Sequence, residues 1–188
     1  MGKVVVLTGP STSGKSSILT RLGLKSIVTS TTRTMRPGEQ QGIDYHFHTL
    51  EEFDDLVEQG EMPERTVYAG VKYGILKRVL DVVKEDKEDY AVILDVVGLE
   101  FLRDYLGKDR VLGLFVGVSP ATIEKRLEER GTAREERQRR IKQAAEKELS
   151  LSYRAHCDVE VWNEHRSLEE TTDDIRGLIR NHGFVLPE

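Results

Sequence analysis

Short apolar runs recur along this chain, and apolar residues in the longer stretches between them fall at helical spacing. The first run shows no alternation of apolar and polar positions, which is typical of a strand buried on both faces of a parallel sheet. Similar runs follow, and together they cover residues 3–7, 26–29, 90–94, 111–116 and 159–162. Because strands and helices alternate, the pattern predicts an α/β fold built on a doubly wound parallel sheet.

Three of the predicted helices begin at capping signals. Thr49 and Ser167 each precede a glutamate by three residues, the spacing of a capping box, and Ser119 precedes a proline that suits the first helical turn. Gly183 is a typical end for the last helix. The predicted helices cover residues 16–24, 51–59, 119–129, 140–149 and 167–181.

Two segments interrupt the alternation of strands and helices. The first is rich in turn-forming and polar residues, and the second crowds six arginines around Gly131. We therefore expect one domain spanning residues 1–188, with a small inserted lobe and an arginine-rich lid. Its predicted parts are a core of residues 1–31, 84–125 and 141–188, the lobe at residues 32–83 and the lid at residues 126–140.

Composition narrows the class of protein. The 188 residues carry 28 Lys and Arg against 33 Asp and Glu, a formal charge of −5, which argues against a nucleic-acid binder. Cys157 is the single cysteine and cannot form an internal disulfide, so the sequence favours the reducing cytoplasm. No apolar run approaches the roughly 20 residues that a bilayer crossing needs, and the N-terminus lacks a signal-peptide pattern. We therefore expect a cytoplasmic protein without a membrane or nucleic-acid partner.

The segment GPSTSGKS at residues 9–16 matches the phosphate-loop pattern G-x-x-x-x-G-K-[ST]. Its glycines let backbone N–H groups turn inward around an anion, Lys15 reaches the outer phosphates, and Ser16 offers a hydroxyl to Mg²⁺. The segment lies between a predicted buried strand and a predicted helix, whose N-terminus also favours anions, so a plain glycine-rich turn is the weaker interpretation. The predicted triphosphate-binding residues are Gly9, Ser11, Ser13, Gly14, Lys15, Ser16 and Ser17.

Asp95 directly follows the apolar run at residues 90–94. A carboxylate at the C-terminal edge of a parallel strand faces the ligand crevice of an open α/β sheet, so Asp95 is a candidate for the Mg²⁺ shell, through water. An aspartate that merely caps the strand end is the alternative. A GTPase would need a base-specific N-K-x-D loop, which this sequence does not contain.

Arg33 and Arg36 lie three residues apart among hydroxyl side chains and precede a turn. Guanidinium groups pair with phosphate oxygens in a bidentate manner, so the two arginines suit a second phosphate group, separate from the one over the loop. Tyr45 and Tyr73 add phenolic donors to such a pocket. Taken singly, the arginines also suit a solvated face, and the tyrosines suit half-buried packing positions.

The arrangement closely resembles the guanylate kinase family over nearly the whole chain. The resemblance is carried by GPSTSGKSS, TSTTRTMRPGEQQGIDYHF, EEFDDLVEQGEMPE, the Tyr73–Gly74 pair, ERGT before the lid and the late VWN. It implies a P-loop kinase that uses Mg²⁺ to transfer phosphate from ATP to GMP, and to dGMP. The GMP-binding residues it implies are Thr29, Arg33, Arg36, Tyr45, Glu64 and Tyr73, with Glu64 reading the guanine and Thr29 near O6. It also implies that Asn163 contacts the adenine of ATP.

Two positions depart from the family pattern. Ile75 stands where a Ser or Thr usually helps bind guanine O6, and Val97 stands where a second acid usually contacts the base. Both changes remove base contacts and leave the phosphate-binding residues in place. Two alternatives therefore stay open: a related P-loop kinase with another nucleotide or a ribose phosphate as acceptor, and a non-catalytic protein-binding domain of this family.

Phosphoryl transfer between two anions requires several cations. Lys15 and Arg33 are the predicted catalytic cations outside the lid, and Arg126, Arg130 and Arg140 are those in and around it. The family pattern leaves Arg139 and Arg140 as alternatives for one lid position. Pairing with neighbouring glutamates on a solvated face is the other interpretation, and it is favoured for Arg134 and Arg137.

Overall fold

The computed structural model describes residues 1–68, 70–164 and 167–187. The strands are β1 (Val4–Thr8), β2 (Lys25–Ser26), β3 (Ser30–Thr31), β4 (His46–Phe47), β5 (Glu64–Tyr68), β6 (Val71–Ile75), β7 (Tyr90–Ile93), β8 (Val111–Gly117) and β9 (Val159–Trp162). The helices are α1 (Lys15–Leu22), α2 (Leu50–Glu58), α3 (Lys77–Glu85), α4 (Val96–Leu106), α5 (Pro120–Glu129), α6 (Arg134–Gln143), α7 (Leu151–Arg154) and α8 (Leu168–Asn181). A π-helical segment, Ala144–Glu148, follows α6.

The main sheet has five parallel strands in the order β2-β7-β1-β8-β9. β1 is central, and Val4 lies opposite Tyr90 of β7 on one side and Val111 of β8 on the other. All five residues of β1 are fully buried, which explains why its sequence shows no alternation. The predicted α/β fold with a parallel sheet is confirmed.

Helices cover both faces of this sheet. Val4 and Val6 of β1 pack with residues of α3 and α4, such as Leu80 and Leu99, on one face. Val5 and Leu7 point the other way and pack with Ile18 of α1 and with Ile175 and Ile179 of α8. Burial of apolar side chains on both faces is the main stabilising contribution to this core.

Within the described residues, no helix combines the length and apolar composition that a membrane crossing requires.

A second, mixed sheet has three of its strands within the predicted lobe, and its β3 lies just before it, in the segment predicted as core. Its strand order is β4-β3-β6-β5, with β5 and β6 as an antiparallel hairpin. Glu64, Thr66 and Tyr73 lie on one face of this sheet, because Thr66 is directly opposite Tyr73 and side chains alternate along a strand. The predicted lobe boundary at residue 83 falls within α3, whose Leu80 and Val83 pack into the main core.

Most predicted helices are present within a residue or two of their expected bounds. The capping boxes at Thr49 and Ser167 are formed, and Ser119 caps α5. The start predicted at residue 140 is wrong, because α6 already begins at Arg134. Residues 134–140 are strong helix formers but almost all charged, so they carry no apolar periodicity to reveal the helix. For the part of the chain that is described, α3, α4 and α7 were not predicted.

A buried arginine ties α4 to the segment before β9. Arg103 donates through Nη1 to Glu100 and to the His156 carbonyl, and through Nη2 to Asp158 at 2.6 Å. The same Asp158 oxygen accepts the Gly113 N–H at 2.7 Å, so this carboxylate joins α4 to β8. Loss of Asp158 would leave a buried cation with fewer acceptors.

Asp158→Ala should therefore lower the free energy of unfolding by about 2–3 kcal/mol, mostly from the underpaired Arg103. Asp173→Ala is the matched control, because the Asp173–Arg176 pair on α8 is exposed and should contribute less than about 0.5 kcal/mol. Urea denaturation of both variants measures the difference. Equal losses in the two variants would contradict this account.

Candidate active site

The loop between β1 and α1 turns sharply at three left-handed residues. Gly9 has φ +126°, Thr12 has φ +67° and Gly14 has φ +98°. A side chain at Gly9 would place its Cβ only 2.4 Å from the Val116 carbonyl oxygen of β8, so this position requires glycine. The loop thus passes directly over the C-terminal end of β8 and delivers the chain into α1, where Ser16 and Ser17 are exposed.

The Lys15 ammonium is folded back onto its own loop. Its Nζ donates to the Gly9 carbonyl at 2.7 Å and to the Pro10 carbonyl at 2.6 Å, and lies 3.3 Å from the Ser13 hydroxyl. Burial lowers the Lys15 pKa to about 8, and the nearby Glu148 carboxylate opposes that change. The Lys15 ammonium is therefore already held at the loop by the protein's own carbonyl groups.

Glu148 is a buried carboxylate near the loop that sequence reasoning missed. It lies in the π-helical segment after α6, and Gln143 donates to it at 3.3 Å. Burial raises its pKa, while Lys15 and the Tyr68 hydroxyl stabilise the charged form. A glutamate in a highly charged helix carries no sequence signal of burial, although π-helical segments are frequent at functional sites.

The Asn163 side chain packs against the loop between β1 and α1 and binds it. Its side chain is 4% exposed, its Nδ2 donates to the Ser13 carbonyl at 2.9 Å, and its Oδ1 accepts from the Thr171 hydroxyl at 3.1 Å. A Cβ at Gly14 would lie 2.7 Å from Nδ2, so the amide packs against the loop. Both ends of the amide thus have partners within the protein, whereas the family resemblance implied a contact with the adenine of ATP.

The arginines of the predicted lid occupy different positions. Arg126 of α5 donates to the Thr12 carbonyl at 2.9 Å and to the Asn163 carbonyl at 3.0 Å. Arg140 donates to the Ser11 hydroxyl at 3.2 Å and pairs with Glu136 within α6. The structure thus places Arg126 and Arg140 at the loop.

Other lid arginines point outward. Arg139 is exposed, which distinguishes it from Arg140, and Arg130 is exposed at the end of α5. Arg137 lies 3.5 Å from Glu128, as the solvated-face interpretation expected. Of the three predicted lid cations Arg126, Arg130 and Arg140, Arg130 is the one for which the described residues show no contact with the loop.

Asp95 caps α4. Its Oδ1 accepts the N–H groups of Val97 and Gly98, both at 3.0 Å, and its Oδ2 accepts the Thr66 hydroxyl at 3.0 Å. Three donors on one carboxylate leave little capacity for direct metal ligation, so a contact through water is the arrangement it can make. Among the residues described, no three His, Cys, Asp or Glu side chains form a metal cluster.

The two predicted acceptor-site arginines share one carboxylate. Arg33 donates through Nη2 to Glu39 at 2.7 Å, and the other Glu39 oxygen accepts the Arg36 N–H at 2.8 Å. The Arg36 side chain is exposed. Glu39 was not singled out from the sequence, although its place directly after the Pro37–Gly38 turn made a contact with the arginines geometrically simple.

Aromatic rings surround the Arg33 guanidinium. The guanidinium carbon, Cζ, lies 5.4 Å from the centre of the Tyr45 ring and 5.7 Å from the centre of the Phe47 ring. The Tyr45 and Tyr73 rings lie 6.3 Å apart, and burial raises the Tyr45 pKa. The structure therefore brings Arg33, Tyr45 and Tyr73 together as expected, in a pocket of one guanidinium and two phenols.

Glu64 is the least satisfied carboxylate of the site. The residue is 3% exposed, and its Oε2 has no hydrogen-bond partner among the described residues. Burial, with a smaller contribution from Asp95, raises its pKa to about 7. A Cβ at Gly98 would lie 3.0 Å from Oε1, so the first turn of α4 can approach the carboxylate because it carries a glycine there.

The two positions that depart from the family pattern have different surroundings. Ile75 is directly opposite Glu64 in the β5–β6 hairpin and is fully buried in the main core. Val97 is 59% exposed at the start of α4. Ile75 therefore contributes packing at the position where the family pattern has a Ser or Thr hydroxyl.

Thr29, the residue expected near the base, precedes β3, and its carbonyl accepts the His46 N–H at 2.9 Å.

The chain is similar to guanylate kinases in both sequence and fold. The family model named guanylate kinase matches residues 1–182. Guanylate kinase from Synechococcus sp. (strain JA-3-3Ab) is 32% identical over 95% of this chain and 82% of its own length, and that of Salinibacter ruber is 34% identical over 94% and 96%. The crystal structure of guanylate kinase from Anaplasma phagocytophilum superposes with a TM-score of 0.71 at 26% identity, covering 96% of this chain and 85% of its own.

The buried Glu64 carboxyl should make stability depend on pH. Its folded pKa of about 7 lies above the ordinary value of 4.5, so the folded protein holds an extra proton between these values and loses stability as pH rises through them. Glu64→Gln cannot titrate. Relative to this variant, the wild type should lose about 2–3 kcal/mol of unfolding free energy between pH 5 and pH 8.

Urea denaturation at both pH values measures that difference. The exposed Glu61→Gln variant serves as the control and should track the wild type at both. Parallel pH dependence of Glu64→Gln and the wild type would show that the carboxyl titrates normally.

Proposed function

Because this chain belongs to the guanylate kinase family, we propose that it transfers the γ-phosphoryl group of ATP to GMP, and also to dGMP. The products are ADP and GDP or dGDP. An oxygen of the acceptor phosphate forms a bond to the γ-phosphorus while the bond from that phosphorus to the β–γ bridging oxygen breaks. The protein's contribution is to position two anions and offset their repulsion.

The unpaired Oε2 of buried Glu64 is the observation that carries the choice of guanine. Guanine presents two adjacent donors, N1–H and the exocyclic amine, and a carboxylate accepts both. Adenine presents an acceptor at N1 and would leave the carboxylate oxygen unsatisfied, which is costly in a buried site. Glu64 shares a sheet face with Tyr73, so base and phosphate contacts come from one surface of the lobe.

Two groups of cations serve the two phosphates. Arg33 and Arg36, with the hydroxyls of Tyr45 and Tyr73, hold the acceptor phosphate, and Thr29 lies at the base. Lys15 and Arg140 act at the transferring phosphate, which Arg130 joins when the lid closes, and Arg126 acts through the loop carbonyls that it binds. Closure of lobe and lid excludes water, which would otherwise accept the phosphate.

The donor site comprises the loop and the first turn of α1. Inward-facing N–H groups and the positive end of the helix bind the polyphosphate of ATP. We assign this role to Gly9, Ser11, Ser13, Gly14, Lys15, Ser16 and Ser17, with Asn163 supporting the loop.

Mg²⁺ fits the residues present. Mg²⁺ usually keeps several waters and takes only one or two protein ligands beside substrate phosphates, so the absence of a three-carboxylate cluster among the described residues agrees with it. The exposed Ser16 hydroxyl would hold the ion directly, and Asp95 would do so through water. The ion would neutralise charge on the transferring phosphate. The lone Cys157 supports a reducing, cytoplasmic location.

Ile75 favours one alternative, a related P-loop kinase with another nucleotide or a ribose phosphate as acceptor, because it places a core side chain opposite Glu64. The protein-binding alternative has no comparable support, because Gly14, Lys15, Ser16 and Asp95 are all retained. An ADP-release assay with ATP, Mg²⁺ and a panel of GMP, dGMP, AMP, UMP and CMP separates these functions. We expect turnover with GMP and dGMP. Turnover with another acceptor alone would overturn the guanine assignment, and no turnover at all would favour a binding domain.

Lys15→Ala should lower kcat for GMP phosphorylation by about 100-fold or more, because a cation beside the transferring phosphate is lost. The exposed Lys77→Ala variant of α3 is the control and should keep wild-type turnover. Circular dichroism and thermal denaturation establish that both variants fold. A folded Lys15→Ala enzyme with wild-type kcat would contradict the role given to this lysine.

A further inference from the structure

The carbonyl groups of an anion-binding loop need hydrogen-bond donors from elsewhere in the protein. When consecutive N–H groups turn inward towards a phosphate, the carbonyl oxygens of the same peptides turn outward, and buried carbonyls require donors. Thr12 and Ser13 are the two buried residues at the bend of this loop, and Thr12 adopts a left-handed conformation that costs about 1–2 kcal/mol for a residue with a side chain.

Two side chains from outside the loop donate to these carbonyls. Arg126 of α5 reaches the Thr12 carbonyl at 2.9 Å, and the Nδ2 of Asn163 reaches the Ser13 carbonyl at 2.9 Å. The second Arg126 nitrogen also binds the Asn163 carbonyl at 3.0 Å, so the two donors are tied together. They hold the carbonyl groups of two consecutive loop residues. In the first of these peptides the Ser13 N–H donates to the Pro10 carbonyl at 3.3 Å, and in the second the N–H belongs to Gly14, the residue before α1.

Every polar atom of Asn163 has a hydrogen-bond partner, and only one of its two Nδ2 hydrogens has none among the described residues. Its N–H donates to the Gly117 carbonyl at 2.9 Å, which anchors it to the end of β8. Its Oδ1 accepts from Thr171 of α8, whose hydroxyl also lies 3.1 Å from the Ser167 carbonyl. The residue therefore links β8, through its backbone, and α8, through its side chain, to the loop, and it is 4% exposed.

We propose that Asn163 is a positioning residue that holds the phosphate loop in its anion-binding shape through the Ser13 carbonyl, and that it acts on the polyphosphate of the donor without contacting the adenine. Gly14 completes the arrangement, because a Cβ there would lie 2.7 Å from Nδ2 and displace the amide. The inference rests on the proposed donor site, but it requires no particular acceptor.

Inorganic tripolyphosphate separates this role from a base contact, since it carries the phosphates of ATP without the adenosine. Asn163→Leu keeps the branched side-chain skeleton and the number of heavy atoms, and it removes the amide oxygen and nitrogen. Its Kd for tripolyphosphate and for ATP, measured by calorimetry with Mg²⁺, should each rise by about tenfold, the effect of one or two lost hydrogen bonds. In turnover assays KM for ATP should rise and KM for GMP should stay unchanged.

Neighbouring threonines of α8 provide a matched pair of variants. Thr171→Val removes the hydroxyl that orients the Asn163 amide and should weaken tripolyphosphate binding by about threefold. Thr172→Val is the control: Thr172 is equally buried, but its hydroxyl binds the Leu168 carbonyl within the helix, so phosphate affinity should be unchanged. Both variants lose one buried hydroxyl, so a general loss of stability would affect them alike. This pair keeps the test valid if Asn163→Leu fails to fold.

Weaker ATP binding with unchanged tripolyphosphate binding in Asn163→Leu would identify Asn163 as an adenine contact and overturn the proposal. Unchanged affinity for both ligands would exclude any role at the donor site. Equal effects of Thr171→Val and Thr172→Val would also count against it. Because the binding experiments contain no acceptor, they succeed or fail independently of whether GMP is the substrate.

Discussion

The reversal of the chain between β1 and α1 is the constraint on which the rest of the site depends. The loop must present its N–H groups to an anion, and this exposes its carbonyls to the protein interior. Lys15, Arg126 and Asn163 each donate to carbonyls of the loop. The ends of β8 and β9 and the start of α8 are thereby arranged around one turn of backbone. The same contacts place the first turn of α1 at the crevice above the central strand of the sheet.

Charge in this acidic protein is organised by local pairing. Arg33 is held by Glu39 in the lobe, and Arg140 is held by Glu136 in α6. Each arginine is thus kept ordered and partly desolvated, which in the proposed function would reduce the entropy lost when a phosphate binds. A carboxylate partner would also limit repulsion among these cations in the proposed closure. Net charge conceals this arrangement, because −5 over the chain coexists with six arginines between residues 126 and 140 and with Lys15 at the loop.

Local sequence rules predicted the elements whose signals are local. β1, the phosphate loop and the capped helices α2, α5 and α8 fall where pattern and caps placed them. α6 lacked apolar periodicity. The unpredicted α4 is capped by Asp95, for which the sequence offered a metal contact or the cap of a strand end, but not the start of a helix. The support given by Asn163 and the burial of Glu148 depend on tertiary contacts between distant segments, and one sequence without such contacts cannot reveal them.

Two neighbouring carboxylates show how the environment divides chemical roles. Asp95 accepts three hydrogen bonds from α4 and β5, so its charge is satisfied by the fold. Glu64 is buried nearby with an unpaired oxygen, and burial raises its pKa to about 7. A guanine that donated two N–H groups to Glu64 would stabilise the charged form and lower that pKa again. In the proposed function, acceptor binding and ionisation of Glu64 would therefore be linked. The fold leaves one oxygen of this carboxylate without a donor among the described residues, at a cost in stability near neutral pH, and a bound guanine would supply the donors.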